Sequence, residues 1–384
     1  MKKNIFKESI PVGLAMFSMF FGAGNIIFPL AVGQHAGQDN LYAMLGLILT
    51  ASIIPITGVL AMILYEGDYR GFFCRLGRWP GFFLALVIIS LLGPLGSTPR
   101  CIALSYTTLK SAFLDFSVTS FSFFYCVLIF FLAVRKNQLL TLLGWVLTPV
   151  LLGSLLIIIT LGFLTPHELY LPTSSPQELF FFGLKEGYNT MDLLAAFFFS
   201  STILHILRGQ VESEKNPKAY LKVAAYASFI GAGLLSLVYV GFSYLAAFHG
   251  SDLSQLAPDA LLAALTLKVA GPYAGSLVCI TIALACLTTT IALISSFADF
   301  VQKEVFEGRG SYEWILACSL LVTFFVSTYE FTGISAFLGP VLTICYPGLI
   351  LLTLLNIAYR LKGYQSVKVP VFIAFMLSAL HTLM

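Results

Sequence analysis

Eleven long apolar segments dominate this sequence, at roughly 9–34, 40–64, 81–108, 117–134, 138–163, 188–207, 218–248, 270–300, 312–329, 331–357 and 366–384. A helix crosses the hydrocarbon core of a bilayer with about 20 apolar residues. All its backbone N–H and C=O groups bond internally, which lipid demands and irregular backbone cannot supply. Each segment is therefore read as a membrane-spanning helix. Between them no stretch is long enough for a soluble domain; the longest are about 164–187 and 249–269.

Composition excludes the soluble alternatives. Of the 384 residues 58% are hydrophobic and 10% charged, against about 25% charged in soluble domains. A soluble enzyme, a disordered chain and a nucleic-acid binder are ruled out, and an all-α polytopic membrane protein remains. The seven cysteines are odd in number, contain no CxxC and fall mostly within apolar runs. Neither a disulfide framework nor a zinc site is expected. The histidines, His35, His167, His205, His249 and His381, are scattered without metal-ligand spacing. No cluster of acids, histidines or cysteines suggests a membrane-embedded enzyme. The apolar run after Lys7 is too long for a signal peptide and reads as the first span.

Lysine and arginine set the orientation. With the N-terminus inside, Lys2, Lys3, Lys7, Arg70, Arg75, Arg78, Arg135, Lys136, Arg208, Lys215, Lys218, Lys222, Lys303, Arg309, Arg360, Lys362 and Lys368 are cytoplasmic. Lys110, Lys185 and Lys268 are external, and Arg100 lies within a span. Seventeen against three is the bias of the positive-inside rule. A missed or false span would scramble the alternation.

Several features are foreign to a helix that merely faces lipid. Span 1 contains Phe20-Phe21-Gly22-Ala23-Gly24-Asn25-Ile26-Ile27-Phe28-Pro29, so an interruption near Gly22–Gly24 is expected. Free amides at such a break suit a carboxylate, and free carbonyls suit a cation. The plainer alternative is that the two glycines only let helices pack closely. Span 6 opens with Gly187-Tyr188-Asn189-Thr190-Met191-Asp192, and its Phe198-Phe199-Ser200-Ser201 echoes Phe20-Phe21-Gly22-Ala23. A copy on span 1 and another on span 6 imply two five-helix units of opposite sense, with interrupted first helices meeting at the midplane. Phe20, Phe21, Phe198 and Phe199 then flank the two breaks.

On span 8, Ala285, Thr288 and Thr289 share one helix face and offer hard oxygen ligands suited to Na+. Alternatively the threonines bond back to their own helix. Arg100, after Gly93-Pro94 and Pro99, and Asp192 are expected at similar depth on the external side, on a kinked span 3 and at the start of span 6. They either form or flank an outer gate or sit at the aqueous interface, with Arg100 snorkelling. Glu66 and Asp299 are read as facing cytoplasmic water.

These residues resemble the bacterial branched-chain amino acid carrier family, the system II Leu/Ile/Val cation symporters. The first span from Gly13 to Pro29 looks like that family's opening motif. Gly93-Pro94 with Pro99-Arg100, Leu147-Thr148-Pro149, Glu186 to Asp192, Ala285 to Thr289, and Tyr346-Pro347 follow in family order. The resemblance implies the five-plus-five inverted-repeat fold of the amino acid–polyamine–organocation superfamily, with interrupted helices 1 and 6. The expected units are 8–163 and 180–357, followed by an extra helix at 366–384. It also implies a Na+ site of Ser18 and Phe21 carbonyls with Ala285, Thr288 and Thr289. The substrate carboxylate would meet the amides of Ala23 and Gly24, beside Gly22 and Asn25. The amine would meet carbonyls around Phe20, Phe198 and Phe199, near Ser200 or Ser201. Two departures are visible: the family typically has twelve spans and this chain ends after the eleventh, and Phe199-Ser200 replaces the family's Phe-Gly.

The expectation is a secondary symporter that imports leucine, isoleucine and valine with Na+ by alternating access. It would lie in the bacterial inner membrane with its N-terminus cytoplasmic, without a cofactor or a nucleic-acid partner. A same-fold carrier of another amino acid, or one coupled to H+, is the main rival; a membrane-embedded enzyme or a pore is a more distant one.

Overall fold

The computed structural model describes residues 5–113, 116–134, 139–164, 174–210, 217–249 and 256–383. Lys2, Lys3, Arg135, Lys136, His167 and Lys215, named above, lie outside them. The described residues are helical, with no strand among them.

The first apolar segment is two helices, α1 (Ile5–Phe20) and α2 (Ala23–Ala36), parted at Phe21–Gly22. Next, α3 (Asn40–Ile48) and α4 (Ile54–Leu64) join through a π-helical turn at Leu49–Ile53. A short α5 (Tyr69–Phe73) leads to α6 (Arg78–Leu92) and α7 (Ser97–Ala112). The kink expected in span 3 is here a full separation at Gly93-Pro94-Leu95-Gly96. Two apolar helices follow, α8 (Val118–Val134) and α9 (Leu139–Leu164). The second half comprises α10 (Pro176–Asn189), α11 (Asp192–Gln210), α12 (Pro217–Phe248), α13 (Pro258–Phe300), α14 (Tyr312–Ser327), α15 (Glu330–Lys362) and α16 (Lys368–Leu383).

Two stretches expected to be loops contain helix. Residues 176–189 form α10, the first half of a broken span 6. Its start is a capping box: Ser175 Oγ accepts from Glu178 N (3.4 Å), and Ser175 N donates to Glu178 Oε2 (2.8 Å), with Pro176 at the first helical position. Likewise α13 begins at Pro258 rather than near 270 and bends at Gly271, whose φ of 77° is left-handed. The Asp259 carboxylate in its first turn accepts a hydrogen bond from Thr107 Oγ1 of α7 (2.8 Å), docking this added piece. Helix α10 and the piece of α13 before Gly271 are each too short to register as a span by themselves, so hydropathy passes over them.

Among the described residues five helical runs are long and apolar enough to cross a membrane: Ala23–Leu64, Arg78–Ala112, Lys222–Phe248, Pro258–Val305 and Glu330–Lys362. Four shorter apolar helices accompany them, at Val118–Val134, Pro149–Leu164, Tyr312–Ser327 and Lys368–Thr382. Large apolar side chains such as Phe83, Phe124, Phe131, Phe229, Leu277, Phe325 and Phe372 are exposed on the outside of the bundle. A soluble monomer does not present so much apolar surface; lipid is its solvent.

Inside, helices approach closely where glycine permits. A Cβ on Gly183 of α10 would lie 1.8 Å from the Ala43 carbonyl oxygen of α3, and one on Gly46 would lie 2.2 Å from that of Phe180. A Cβ on Gly33 of α2 would lie 1.8 Å from the Ser243 carbonyl oxygen of α12. Because lipid tails are as apolar as the helices, such close van der Waals packing holds them together. Thr50, in the π-turn, donates to the Leu184 carbonyl of α10 at 3.0 Å. The main buried cluster joins α1, α2, α4, α11, α12 and α15, while Ile102, Ile129, Ile291 and Leu316 anchor a second one among α7, α8, α13 and α14.

Candidate functional site

The break in span 1 is built from its own sequence. Phe21 N still bonds to Phe17 O (2.9 Å), and the chain then turns extended at Gly22 (φ −135°, ψ −167°). Asn25 Oδ1 accepts from Gly22 N at 2.9 Å, and Asn25 N donates to Gly22 O at 3.2 Å. A side-chain amide thus replaces a bond the helix has given up.

The same asparagine reaches across to span 6. Its Nδ2 donates to both carboxylate oxygens of Asp192 (3.0 and 2.8 Å) and to the hydroxyl of Tyr239. Tyr239 in turn donates to Asp192 Oδ2 at 3.0 Å. All three side chains are buried. Spans 1, 6 and 7 therefore share one polar network inside the apolar bundle.

Span 6 is interrupted at Thr190–Met191. Met191 takes a φ of 65°, in the left-handed region that non-glycine residues rarely enter. Thr190 Oγ1 donates to Gly187 O (2.9 Å), and Arg100 Nη1 donates to Asn189 O (2.9 Å), so side chains satisfy carbonyls at the end of α10. The two breaks touch: a Cβ on Gly24 would lie 3.1 Å from Thr190 Cα and 3.2 Å from its carbonyl oxygen.

The second break was expected around Phe198-Phe199-Ser200-Ser201, and that placement is corrected. Those residues lie inside α11, with the hydroxyls of Ser200 and Ser201 bonded back to Phe197 O (3.0 Å) and Phe198 O (3.2 Å). Ser200 is buried and Ser201 exposed. Successive helical residues point about 100° apart, so Phe198 and Phe199 do not face one pocket. Phe199 meets Phe20 edge-on at 6.1 Å. Phe198 instead packs with Tyr69 and Phe300, at 5.6 and 5.9 Å. Tyr69 donates to Glu304 Oε1 (2.5 Å), which also pairs with Arg70 Nε (2.6 Å). This clasp packs beyond Phe198; burial and the adjacent Glu304 raise the Tyr69 pKa.

On span 8, Thr289 Oγ1 donates to the Phe21 carbonyl at the break (3.3 Å), while Thr288 Oγ1 bonds back to Ala285 O (2.8 Å). Ser18 lies one turn before Phe21 on α1. The structure therefore brings Phe21 and Thr289 together directly, with Ala285 and Thr288 on the adjoining turn. Among the described residues no group of three or more His, Cys, Asp or Glu could hold a metal ion.

Arg100 and Asp192 do not form the pair expected of a gate. Both are 2% exposed, and neither sits at an aqueous interface. Asp192 is held by Asn25 and Tyr239, whereas Arg100 is held by Asn189 O, lies 3.6 Å from Met191 Sδ, and has the rings of Phe28 and Phe331 beside it at 5.3 and 5.6 Å. Each serves a different part of the junction. Sequence reasoning missed Tyr239, Asn189, Thr190 and Met191 as site residues. The polar run from Gly187 to Asp192 carried a signal for three of them; one tyrosine in the long apolar α12 carried none.

Comparison with known proteins was made against this geometry. Residues 5–384 match the family model described as branched-chain amino acid transport protein. The chain is 28% identical over 363 residues to the branched-chain amino acid permease BraB of Bacillus subtilis (strain 168), covering 91% of this chain and 80% of that protein. It is 28% identical over 365 residues to the permease BrnQ of Corynebacterium glutamicum, covering 93% and 83%. Its fold is similar to the inward-facing conformation of Mhp1, with a TM-score of 0.67, 11% identity, and coverage of 97% of this chain and 88% of that one. A manganese transporter of Eremococcus coleocola has a TM-score of 0.65 at 13% identity, covering 99% and 86%. These likenesses establish the architecture, an all-α five-plus-five transporter fold with broken helices 1 and 6; at such low identity they speak for the fold alone.

Proposed function

Because the chain belongs to the branched-chain amino acid transport protein family, we propose that it imports leucine, isoleucine and valine together with Na+, by alternating access around the two helix breaks. It is a multi-pass membrane carrier and not an enzyme. The observation that carries the rest of the reading is the contact between breaks, Gly24 against Thr190, with Asn25 bridging to Asp192.

The amides of Ala23 and Gly24, at the start of α2, face a substrate carboxylate with the positive end of the helix dipole. Phe20 and Phe199 close the apolar floor for a branched side chain. One methylene in such a pocket discriminates by only about 1–3 kcal/mol, so the three substrates are pooled. The coupling ion is assigned to carbonyls of Ser18, Phe21 and Ala285 with hydroxyls of Thr288 and Thr289. Two oxygens about 2.4 Å from a hard cation and at right angles lie about 3.4 Å apart. Thr289 Oγ1 and Phe21 O are 3.3 Å apart, so a rotated hydroxyl proton leaves room for the ion between them.

The ion would tie the span 1 break to span 8 and so bias one state of the carrier. The units 8–163 and 180–357 are proposed as its two inverted halves, in a bacterial inner membrane with the N-terminus cytoplasmic. One Na+ moving down about 100 mV supplies about 2.3 kcal/mol, roughly fiftyfold accumulation before its own gradient is added. The test is uptake of labelled leucine into proteoliposomes with an inward Na+ gradient, against an equimolar K+ control. Na+-dependent accumulation that Thr289→Ala abolishes is expected; equal accumulation in K+ rejects the ion site. The buried Asp192 carboxylate favours H+ as the second reading, which uptake driven by a pH jump without Na+ would establish.

A further inference from the structure

Arg100 carries more hydrogen-bonding capacity than its surroundings use. Its Nη1 bonds to Asn189 O, but its Nε and Nη2 are buried with no partner. These two N–H groups form one edge of the guanidinium, the edge that grips a carboxylate with two parallel bonds. Among the described residues no acidic oxygen lies within ion-pair distance of Arg100. Glu186 is the acid in electrostatic reach, and it already accepts from Asn189 Nδ2 at 3.1 Å. A buried cation left half-bonded is costly, and the ring faces of Phe28 and Phe331 offset only part of that cost.

Arg100 lies at the junction of the two breaks. Arg100 abuts Asn189 and Met191 at the break in span 6, and its ring partner Phe28 belongs to α2, whose first turn starts at the break in span 1. The helix that carries Arg100, α7, also packs directly against α2, which starts at the first break. Asp192, the opposite charge of the junction, is committed to Asn25 and Tyr239.

We propose that the free Nε–Nη2 edge of Arg100 is a carboxylate subsite, which takes the α-carboxylate of the carried amino acid while the breaks are closed around it. This rests on the branched-chain amino acid reading and assigns its main anion contact to span 3. Arg100 thereby links ligand to break: its other nitrogen holds the Asn189 carbonyl, so a bound carboxylate fixes the end of α10 as well. The neutral amide of the same ligand has no negative charge to pair with and brings N–H groups toward an edge that is all donor.

The experiment is competition against labelled leucine on the purified full-length chain, with leucine and leucinamide as competitors. The wild type is expected to prefer leucine by at least about 100-fold, since a site built for a charged partner rejects its neutral analogue strongly. Arg100→Lys retains charge but not the fork, and is expected to cut that preference about tenfold or more. Arg100→Met is expected to bring it to near unity, with leucine itself weakly bound. Monodispersity and melting temperature report folding, and the Lys variant retains a buried cation should the Met variant fail to fold. A wild type that binds leucine no better than leucinamide overturns the subsite, as does a folded Lys or Met variant with an unchanged ratio. A wild type that binds no leucine overturns the substrate reading itself, and this assignment with it.

Discussion

The two helix breaks meet face to face, yet they are made by different means. The break at Phe21–Gly22 is local. Its extended residue is a glycine, and the bonds that replace the lost helical ones run within residues 17–25, with Thr289 Oγ1 on the Phe21 carbonyl added from span 8. The break at Thr190–Met191 has no glycine. Met191 sits in the left-handed region, which costs a non-glycine residue about 1–2 kcal/mol. Contacts distant in sequence hold it there: Arg100 on Asn189 O, Asn25 on Asp192, and the bare Cα of Gly24 against Thr190. A self-contained break keeps its shape when helices move, whereas an imposed one follows its neighbours. The span 6 break is therefore the one whose shape changes in these neighbours would alter.

The sharpest way to break this comparison is Gly24→Ala. The added methyl would press on backbone atoms of Thr190 at 3.1 and 3.2 Å, and overpacking of this kind costs about 1–3 kcal/mol. Leucine uptake is expected to fall at least about tenfold with the protein still in the membrane; unchanged uptake would mean that the breaks do not touch in the working carrier. A double-mutant cycle between Asn25→Ala and Asp192→Asn weighs the bridge itself. Polar contacts between membrane helices average about 0.6 kcal/mol and reach about 1.7, so a coupling in that range is expected in thermal unfolding. Simple additivity would remove the bridge from the account.

At Met191 the backbone can be tested apart from the side chain. Met191→Leu conserves volume, but Met191→Ile puts a β-branched residue at a φ of 65°. The isoleucine variant is expected to be the less stable of the two by about 1 kcal/mol, read as the lower melting temperature. The smallest effect belongs to Gly22→Ala. Its φ of −135° is open to any residue, and a Cβ there would make an ordinary 3.4 Å contact with Thr289 Cγ2. Stability is expected to change by under about 0.5 kcal/mol. A severe loss of transport would reveal that span 1 closes onto span 8 during the cycle.

The contrast between the breaks also explains what could be read in advance. Gly22-Ala23-Gly24-Asn25 announces a break because its causes lie within a few residues. The second was placed about ten residues late, at Phe198–Ser201, because the resemblance to Phe20–Ala23 is one of letters and not of environment. The polar run Gly187–Asp192 held the better clue: an asparagine, a threonine and an aspartate mid-bundle are costly unless they replace lost backbone bonds. The capping box at Ser175–Glu178 likewise marked the start of α10 for a reader not counting hydropathy alone. Arg100 and Asp192 stand out in the sequence as charges that need partners, and in the structure each has its own. Their partners are a carbonyl, an amide and a phenol, which no charge count reveals.

By itself the sequence determined the solvent, the all-helical class and the first break. Apolar runs of membrane length leave the helix as the backbone that lipid tolerates, and Gly22 with the Asn25 side chain supplies a local means of leaving it. The tertiary structure decided where the second break falls, which hydroxyl of span 8 meets the first break across the bundle, and that Arg100 faces the junction with two donors free. Those outcomes depend on which helices come within a few ångströms of each other, and hydrogen bonds and glycine contacts at that range act between residues that lie far apart along the chain.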